Sequence, residues 1–175
     1  MGYVDLHVHT THSDGALSPA QMVEKAKAAG VTTLAIADHD KISGSQEAAP
    51  LCAWAGIRLI PAAEVDTVLR GVLVHVLAYF PDFANAAFLA MLQDSRAKLD
   101  GMSDILIDRL AARGKNVSRE EYAFFPEMRE KGGWKALYYL AHKGIVAAPK
   151  QALRLYGDYG VRYADQGFIA TENAI

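Results

Sequence analysis

The sequence predicts an α/β protein built in two unlike parts. Residues 1–82 alternate short apolar runs with capped helical segments, residues 83–160 show helical periodicity alone, and residues 161–175 lead back toward the first part. Five of the six histidines fall within the first 75 residues, and four of those five sit on strands or at strand ends.

Residues 3–9 alternate and predict a first strand. Asp5, His7 and His9 share one of its faces, because side chains two apart on a strand point the same way. Ser13-Asp14-Gly15 turns the chain. Ser18-Pro19-Ala20-Gln21 starts a helix with a capping serine, a proline in the first turn and a glutamine placed to reach back. Met22, Val23, Ala26 and Ala29 continue it, and Gly30 ends it. Residues 31–37 are nearly all apolar and predict a strand buried on both faces, ending at Asp38-His39-Asp40. A helix over 45–55 closes on Gly56. Residues 57–60 predict a third strand with Glu64 just beyond its C-terminal end. Residues 65–69 and 72–79 predict an antiparallel pair turned at Arg70-Gly71.

From Ala84 the pattern is helical. Phe88, Leu89, Leu92, Leu99, Met102, Ile105, Leu106 and Leu110 predict helix over 84–113, stopped by Gly114, with Gly101 as a point of division. Ser118-Arg119-Glu120-Glu121 reads as a capping box. Further helices are predicted over 133–143 and 149–155, an irregular stretch over 161–168, and a helix start at 171–175 capped by Thr171. This block reads as a helical subdomain inserted into the α/β part.

Composition narrows the function. The chain of 175 residues is 51% apolar, as a globular protein is. A net charge of -2 supplies no basic field, which speaks against nucleic acid as the partner. The single cysteine, Cys52, cannot form an internal disulfide and suits a reducing cytoplasm. No signal-peptide pattern opens the chain, and no apolar run reaches the length of a membrane span, so no membrane role is expected.

The chemistry gathers at strand ends. The first strand delivers His7 and His9, with Asp14 in the loop after it; the second delivers Asp38, His39 and Asp40; the third delivers Glu64; the last carries His75. In parallel β/α folds the C-terminal strand ends build the site. Imidazoles and carboxylates together suit a borderline or hard divalent metal. A bland reading stands beside each residue. A lone His-x-His is more often surface or core chemistry, His75 between valines would alone be a satisfied core histidine, and His142 at a helix end is favoured by the helix dipole. His12 lies in the loop and is left outside the ligand set. Asp38 and Asp40 either orient histidines or cap the next element.

The motifs Asp5-Leu6-His7-Val8-His9, His12-Ser13-Asp14-Gly15, Ala37-Asp38-His39-Asp40, Ala63-Glu64-Val65 and Val74-His75-Val76-Leu77-Ala78-Tyr79-Phe80 together resemble the PHP (polymerase and histidinol phosphatase) domain family. The resemblance is to its stand-alone phosphoesterases, which carry a helical insertion, and Lys131-Gly132-Gly133-Trp134-Lys135 is similar to part of one such insertion. It implies the N-terminal part of a distorted (β/α)7 barrel and two or three divalent ions (manganese, zinc or iron). It also implies hydrolysis of a small phosphorylated substrate, a nucleotide or nucleoside bisphosphate, by a metal-activated water with no protein nucleophile. By position, His7, His9, Asp14, His39, Glu64 and His75 match metal ligands, with Glu64 matching the bridging carboxylate. On this basis His7 and His9 hold one ion with Glu64, Asp14 joins His39 on another, and Asp5 supports from behind. Lys131 and Lys135 are candidates to meet the substrate phosphate.

The ligands the family takes from later strands, a His-Pro histidine and an Asp-x-His pair, find no match. The expectation is therefore a truncated product, a fragment of a longer chain, or a protein whose barrel another chain completes. Two alternatives accompany the phosphoesterase: a catalytically incomplete metal-binding fragment, and an exonuclease-type module.

Overall fold

The computed structural model describes residues 2–174. Strand β1 (Tyr3–Val8) pairs in parallel with β2 (Val31–Ile36), which pairs in parallel with β3 (Arg58–Leu59), in the order β1-β2-β3. Helix α1 (Pro19–Ala28) joins β1 to β2 and α2 (Ser43–Ala55) joins β2 to β3. The predicted capping box of α1 is complete: the Gln21 amide donates to Ser18 Oγ at 3.2 Å and the Ser18 amide to Gln21 Oε1 at 2.9 Å. Both helices pack on the sheet through Val23, Ala26, Ala48 and Cys52 against Leu34 and Ile36.

Strand β2 is buried only in its second half, from Leu34 onward; Thr32 near its start is exposed. Helix α2 begins at Ser43, two residues before the predicted start, because Gly44 lets its first turn press on the Asp38 carboxylate. A Cβ at Gly44 would come within 2.0 Å of Asp38 Oδ2.

The third strand is shorter than predicted, and Glu64 follows it inside a further strand rather than at its end. Glu64 is instead the third residue of β4 (Ala62–Leu69), which pairs antiparallel with β5 (Val72–Tyr79) through the predicted Arg70-Gly71 turn. Both turn residues have positive φ, 51° and 83°, the conformation that matches a two-residue hairpin to strand twist. A single parallel bridge, His39 to Glu64, joins this hairpin to the end of β2. The Tyr79 hydroxyl donates to the Leu6 carbonyl at 2.9 Å and ties β5 to β1. The two sheets do not close into a barrel. Tyr3, Val4, Val72 and Phe80 stand exposed along the outer strands.

Helix α3 (Ala86–Ala112) runs unbroken through Gly101, correcting the predicted division. The glycine faces open space, while Met102, Leu106, Ile107 and Leu110 hold the helix into its own core. That core also takes Val117, α5 (Lys135–His142) and α6 (Leu153–Asp158). Helix α4 (Arg119–Phe124) has half its predicted box. Ser118 Oγ accepts from the Glu121 amide, but the Glu121 carboxylate turns to Lys143 and the Tyr139 hydroxyl. Residues Pro149–Ala152 form a 3-10 turn ahead of α6. A 3-10 turn at Thr171–Asn173 replaces the predicted helix start; Ala170 precedes it as cap, and the Thr171 hydroxyl meets that of Thr67 at 2.8 Å. Ile175, in that predicted segment, lies outside the described residues. No helix among the described residues is long and apolar enough to cross a membrane.

Candidate metal centre

Four histidines from three places in the chain converge on Glu64. His7 Nε2 and His9 Nε2 each lie 2.9 Å from Glu64 Oε2, His75 Nδ1 lies 3.0 Å from Oε1, and His39 Nε2 is 3.6 Å from Oε2. The rings form a row, with centroids 5.0 Å apart from His7 to His9, 4.7 Å from His9 to His39 and 4.8 Å from His39 to His75. His9 Nδ1 reaches Asp14 Oδ1 at 2.8 Å. All six predicted ligand residues therefore lie together.

Local structure explains the placement. The end of β1 hands its side chains to the loop at Thr10–Gly15, and that loop is gripped by Asp38. The buried Asp38 carboxylate accepts from the Thr10 amide (2.7 Å), the Thr10 hydroxyl (2.7 Å) and the Ser13 hydroxyl (2.6 Å). Gly15 packs on the His9 carbonyl so closely that a Cβ would sit 2.2 Å away. Asp38 thus shapes the ligand loop and touches no histidine, which corrects its predicted role.

Two other supports also differ from prediction. Asp5 is exposed, and among the described residues its carboxylate meets only the His7 amide, at 3.4 Å, and no candidate ligand side chain. Asp40 adopts a positive φ of 51° and accepts from the Asp66 amide at 3.1 Å, while its buried Oδ2 has no partner. Burial, then the charge of Asp66, push the Asp40 carboxyl up to about 7.

The residue that does brace the histidines is Asp66. Its Oδ1 lies 2.9 Å from His39 Nδ1 and 3.3 Å from His75 Nδ1, and it is buried. A signal for it exists: Asp66 stands two residues after Glu64 on one strand and directly across the ladder from His75.

Without metal, the cluster is a charge-coupled unit. Burial pushes His9 down, but its bonds to Asp14 and Glu64 outweigh this and raise it to about 10. The Glu64 bond raises His75. Burial pushes Glu64 and Asp14 up, yet the neighbouring imidazoles hold both below the usual carboxylate range.

Beside the centre lies a cavity of about 390 Å³, walled by His12, Lys41, Arg96, Arg129, Trp134 and Lys135 among others. Trp134 connects the two. Its ring centroid is 5.9 Å from that of His39 and 4.6 Å from the Arg96 guanidinium. The Gly133 amide donates to the Asp14 carbonyl at 2.7 Å, which anchors this segment to the ligand loop. Of the two predicted lysines, Lys135 borders the cavity but donates to the Ala123 carbonyl at 3.1 Å. Lys131 does not border it and lies 6.0 Å from the Tyr138 ring, because the Gly132-Gly133 turn carries the chain away from it. Lys41 and Arg96, from outside the predicted set, stand in its place. His142 is remote, packed on Phe125. His12 sits between Ser43 Oγ and Glu47 Oε2, each at 2.8 Å.

An α/β scaffold that gathers four imidazoles and two carboxylates into overlapping ligand groups defines a protein of the metal-site class. The PHP domain matches residues 5–172, and the chain belongs to that family. A 5'-3' exoribonuclease of Haemophilus influenzae is 37% identical over 110 residues, 63% of this chain and 40% of that protein. A 3',5'-nucleoside bisphosphate phosphatase of Chromobacterium violaceum is 36% identical over 96 residues, 55% of this chain and 34% of that one. A solved structure from Bifidobacterium adolescentis, assigned to the metal-dependent phosphoesterases, superposes with a TM-score of 0.70 at 26% identity, covering 89% of this chain and 54% of the other. The chain spans about half or less of the length of each.

Proposed function

We propose that the chain carries the metal centre of a phosphoesterase acting on a small phosphorylated substrate of the nucleotide class. The convergence of His7, His9, His39 and His75 on Glu64 carries this reading. The donor set fits divalent ions. Three groups, His7/His9/Glu64, His9/Asp14/His39 and His39/Glu64/His75, each place their ligand atoms within 4.8 Å of one another. Imidazole with carboxylate suits manganese, zinc or iron. Two or three ions there would supply an activated water and neutralise phosphoryl charge. The chain's own residues do the rest. Glu64 lies between two of the ligand groups, Asp66 fixes the orientation of His39, and Asp38 holds the ligand loop. Lys41, Arg96 and Arg129 give the adjoining cavity a positive wall for the remainder of the substrate.

The test is phosphate release from nucleoside bisphosphates, simple phosphomonoesters and 5'-phosphorylated oligonucleotides, with protein loaded with each of the three metals. Turnover that disappears in a His7→Ala/His9→Ala variant supports the proposal, and no release with any metal overturns it for this chain. Release from oligonucleotides alone would favour the exoribonuclease reading, which rests on the names of the relatives. Stoichiometric metal without turnover would favour a metal-binding part that needs further polypeptide. The unclosed sheets and the relatives' greater length support that second reading.

A further inference from the structure

We propose that Ser43, His12 and Glu47 form a second hydrolytic site, apart from the metal centre, in which Ser43 is the nucleophile toward a carboxylic ester with an apolar acyl group. This goes beyond the phosphoester reading and does not depend on it.

The three side chains form a relay. Ser43 Oγ lies 2.8 Å from His12 Nδ1, and His12 Nε2 lies 2.8 Å from Glu47 Oε2. A hydroxyl within hydrogen-bond reach of an imidazole that a third group orients is the arrangement that makes serine a nucleophile. Glu47 also sets the direction of the bonds. An ionised carboxylate only accepts, so Nε2 carries its hydrogen toward Glu47. Nδ1 is then left to accept from the Ser43 hydroxyl, which is the polarity a general base needs.

The backbone holds the relay in place. Ser43 and Glu47 stand four residues apart on one face of α2. His12 arrives from the ligand loop, where its amide donates to Thr10 Oγ1 at 3.2 Å and the Thr10 hydroxyl donates to Asp38. The loop that Asp38 grips therefore positions the base as well.

The surroundings select the substrate. Ser43 borders a cleft of about 500 Å³ between the start of α2 and α3. Ile42, Leu89 and Leu92 give it an apolar lining, and Lys41 and Arg96 bring cationic donors. Its two carboxylates are engaged, Asp100 with Arg96 and Asp40 with the Asp66 amide. Among the described residues the buried Nη1 of Arg96 has no hydrogen-bond partner. A fixed donor of that kind stabilises the oxygen that turns negative when a carbonyl is attacked. Ser43 Oγ bonds to the carbonyl carbon as its proton passes to His12 Nδ1. The bond to the alkoxy oxygen then breaks, and the alcohol leaves with that proton. Water attacks the acyl-serine, gives a proton to the same nitrogen and releases the acid, and the proton returns to Ser43 Oγ.

The test mixes metal-free protein with p-nitrophenyl butyrate and follows the release of p-nitrophenolate. A burst of about one equivalent per chain is expected, with the butyryl group located on Ser43 by peptide mass spectrometry. Ser43→Ala is expected to abolish the burst. His12→Gln is expected to slow it by about 100-fold or more, the loss of a general base. Glu47→Gln, at a half-exposed position that the fold tolerates, is expected to slow it by about tenfold or more, because glutamine no longer fixes the imidazole tautomer. No acylation, acyl groups on lysines alone, or a burst unchanged in folded Glu47→Gln and His12→Gln proteins overturns the proposal. The metal centre is idle in this measurement, so its failure and that of the phosphate-release assay are told apart.

Discussion

Asp66 and His39 are locked together: Oδ1 of the carboxylate lies 2.9 Å from Nδ1 of the imidazole, and both residues are buried. The bond fixes which ring nitrogen is free, and leaves Nε2 turned toward Glu64. Removing such a support generally weakens metal affinity by about 10-fold to 100-fold. Asp66→Asn is therefore expected to lower manganese or zinc affinity by that order, measured by competition with a chelator, while circular dichroism stays native.

Glu64 belongs to two of the three ligand groups, whereas Asp14 belongs to one. Glu64→Gln should reduce the number of ions bound per chain, read by elemental analysis, and Asp14→Asn should reduce it less. Equal losses would show that Glu64 is not shared.

The pH dependence of the metal-free protein follows from the signs of the shifts. His9 is raised above its ordinary 6.5 to about 10, so its stabilising contribution is complete below 6.5 and is lost as pH rises through 10. Glu64 and Asp14 are lowered, so theirs is complete above the ordinary carboxylate range and is lost as pH falls below it. Thermal melts without metal should peak between about pH 5 and 6.5. Metal loading should shift the optimum upward, because the ligands must shed protons to bind.

Asp40 carries the opposite sign. Its carboxyl is raised to about 7, so keeping it ionised costs stability increasingly as pH rises from 3.8 to 7. Asparagine keeps an acceptor for the Asp66 amide and tolerates the positive φ. Asp40→Asn is expected to raise the metal-free melting temperature by about 3–8 °C at pH 8 and to change it little at pH 4.

Gly44 is constrained by contact rather than by φ. An alanine there would drive its methyl into Asp38 Oδ2 and Thr10 Oγ1. Gly44→Ala is expected to cost about 1–3 kcal/mol in chemical denaturation. It should also weaken metal binding, because Asp38 holds the ligand loop.

The sequence made the first part of the fold legible because its signals are local. The Ser18 box, the Gly56 cap and the Arg70-Gly71 turn each act within a few residues. The clustered histidines are legible for a related reason, since they stand out against apolar runs, while the full candidate set with Asp14 and Glu64 comes from the resemblance of the motifs to the family. What escaped depends on distance through space. Asp66 reads as an ordinary strand residue until β5 places His75 opposite it. Asp38 looked like a brace for histidines because its hold on Thr10 and Ser13 crosses 28 and 25 positions of the chain. The cationic wall draws Lys41 from the loop between β2 and α2 and Arg96 from α3, and no spacing rule joins them. Gly101 is a helix breaker by local propensity, but the apolar face that α3 buries on both sides of it keeps the helix continuous.

Asp14 faces two ways. Its carboxylate meets His9, and its carbonyl accepts the Gly133 amide, one residue before Trp134. One hydrogen bond thus joins the loop that faces the histidines to the segment that carries the indole between centre and cavity, so the two walls of the site are a single connected piece of backbone.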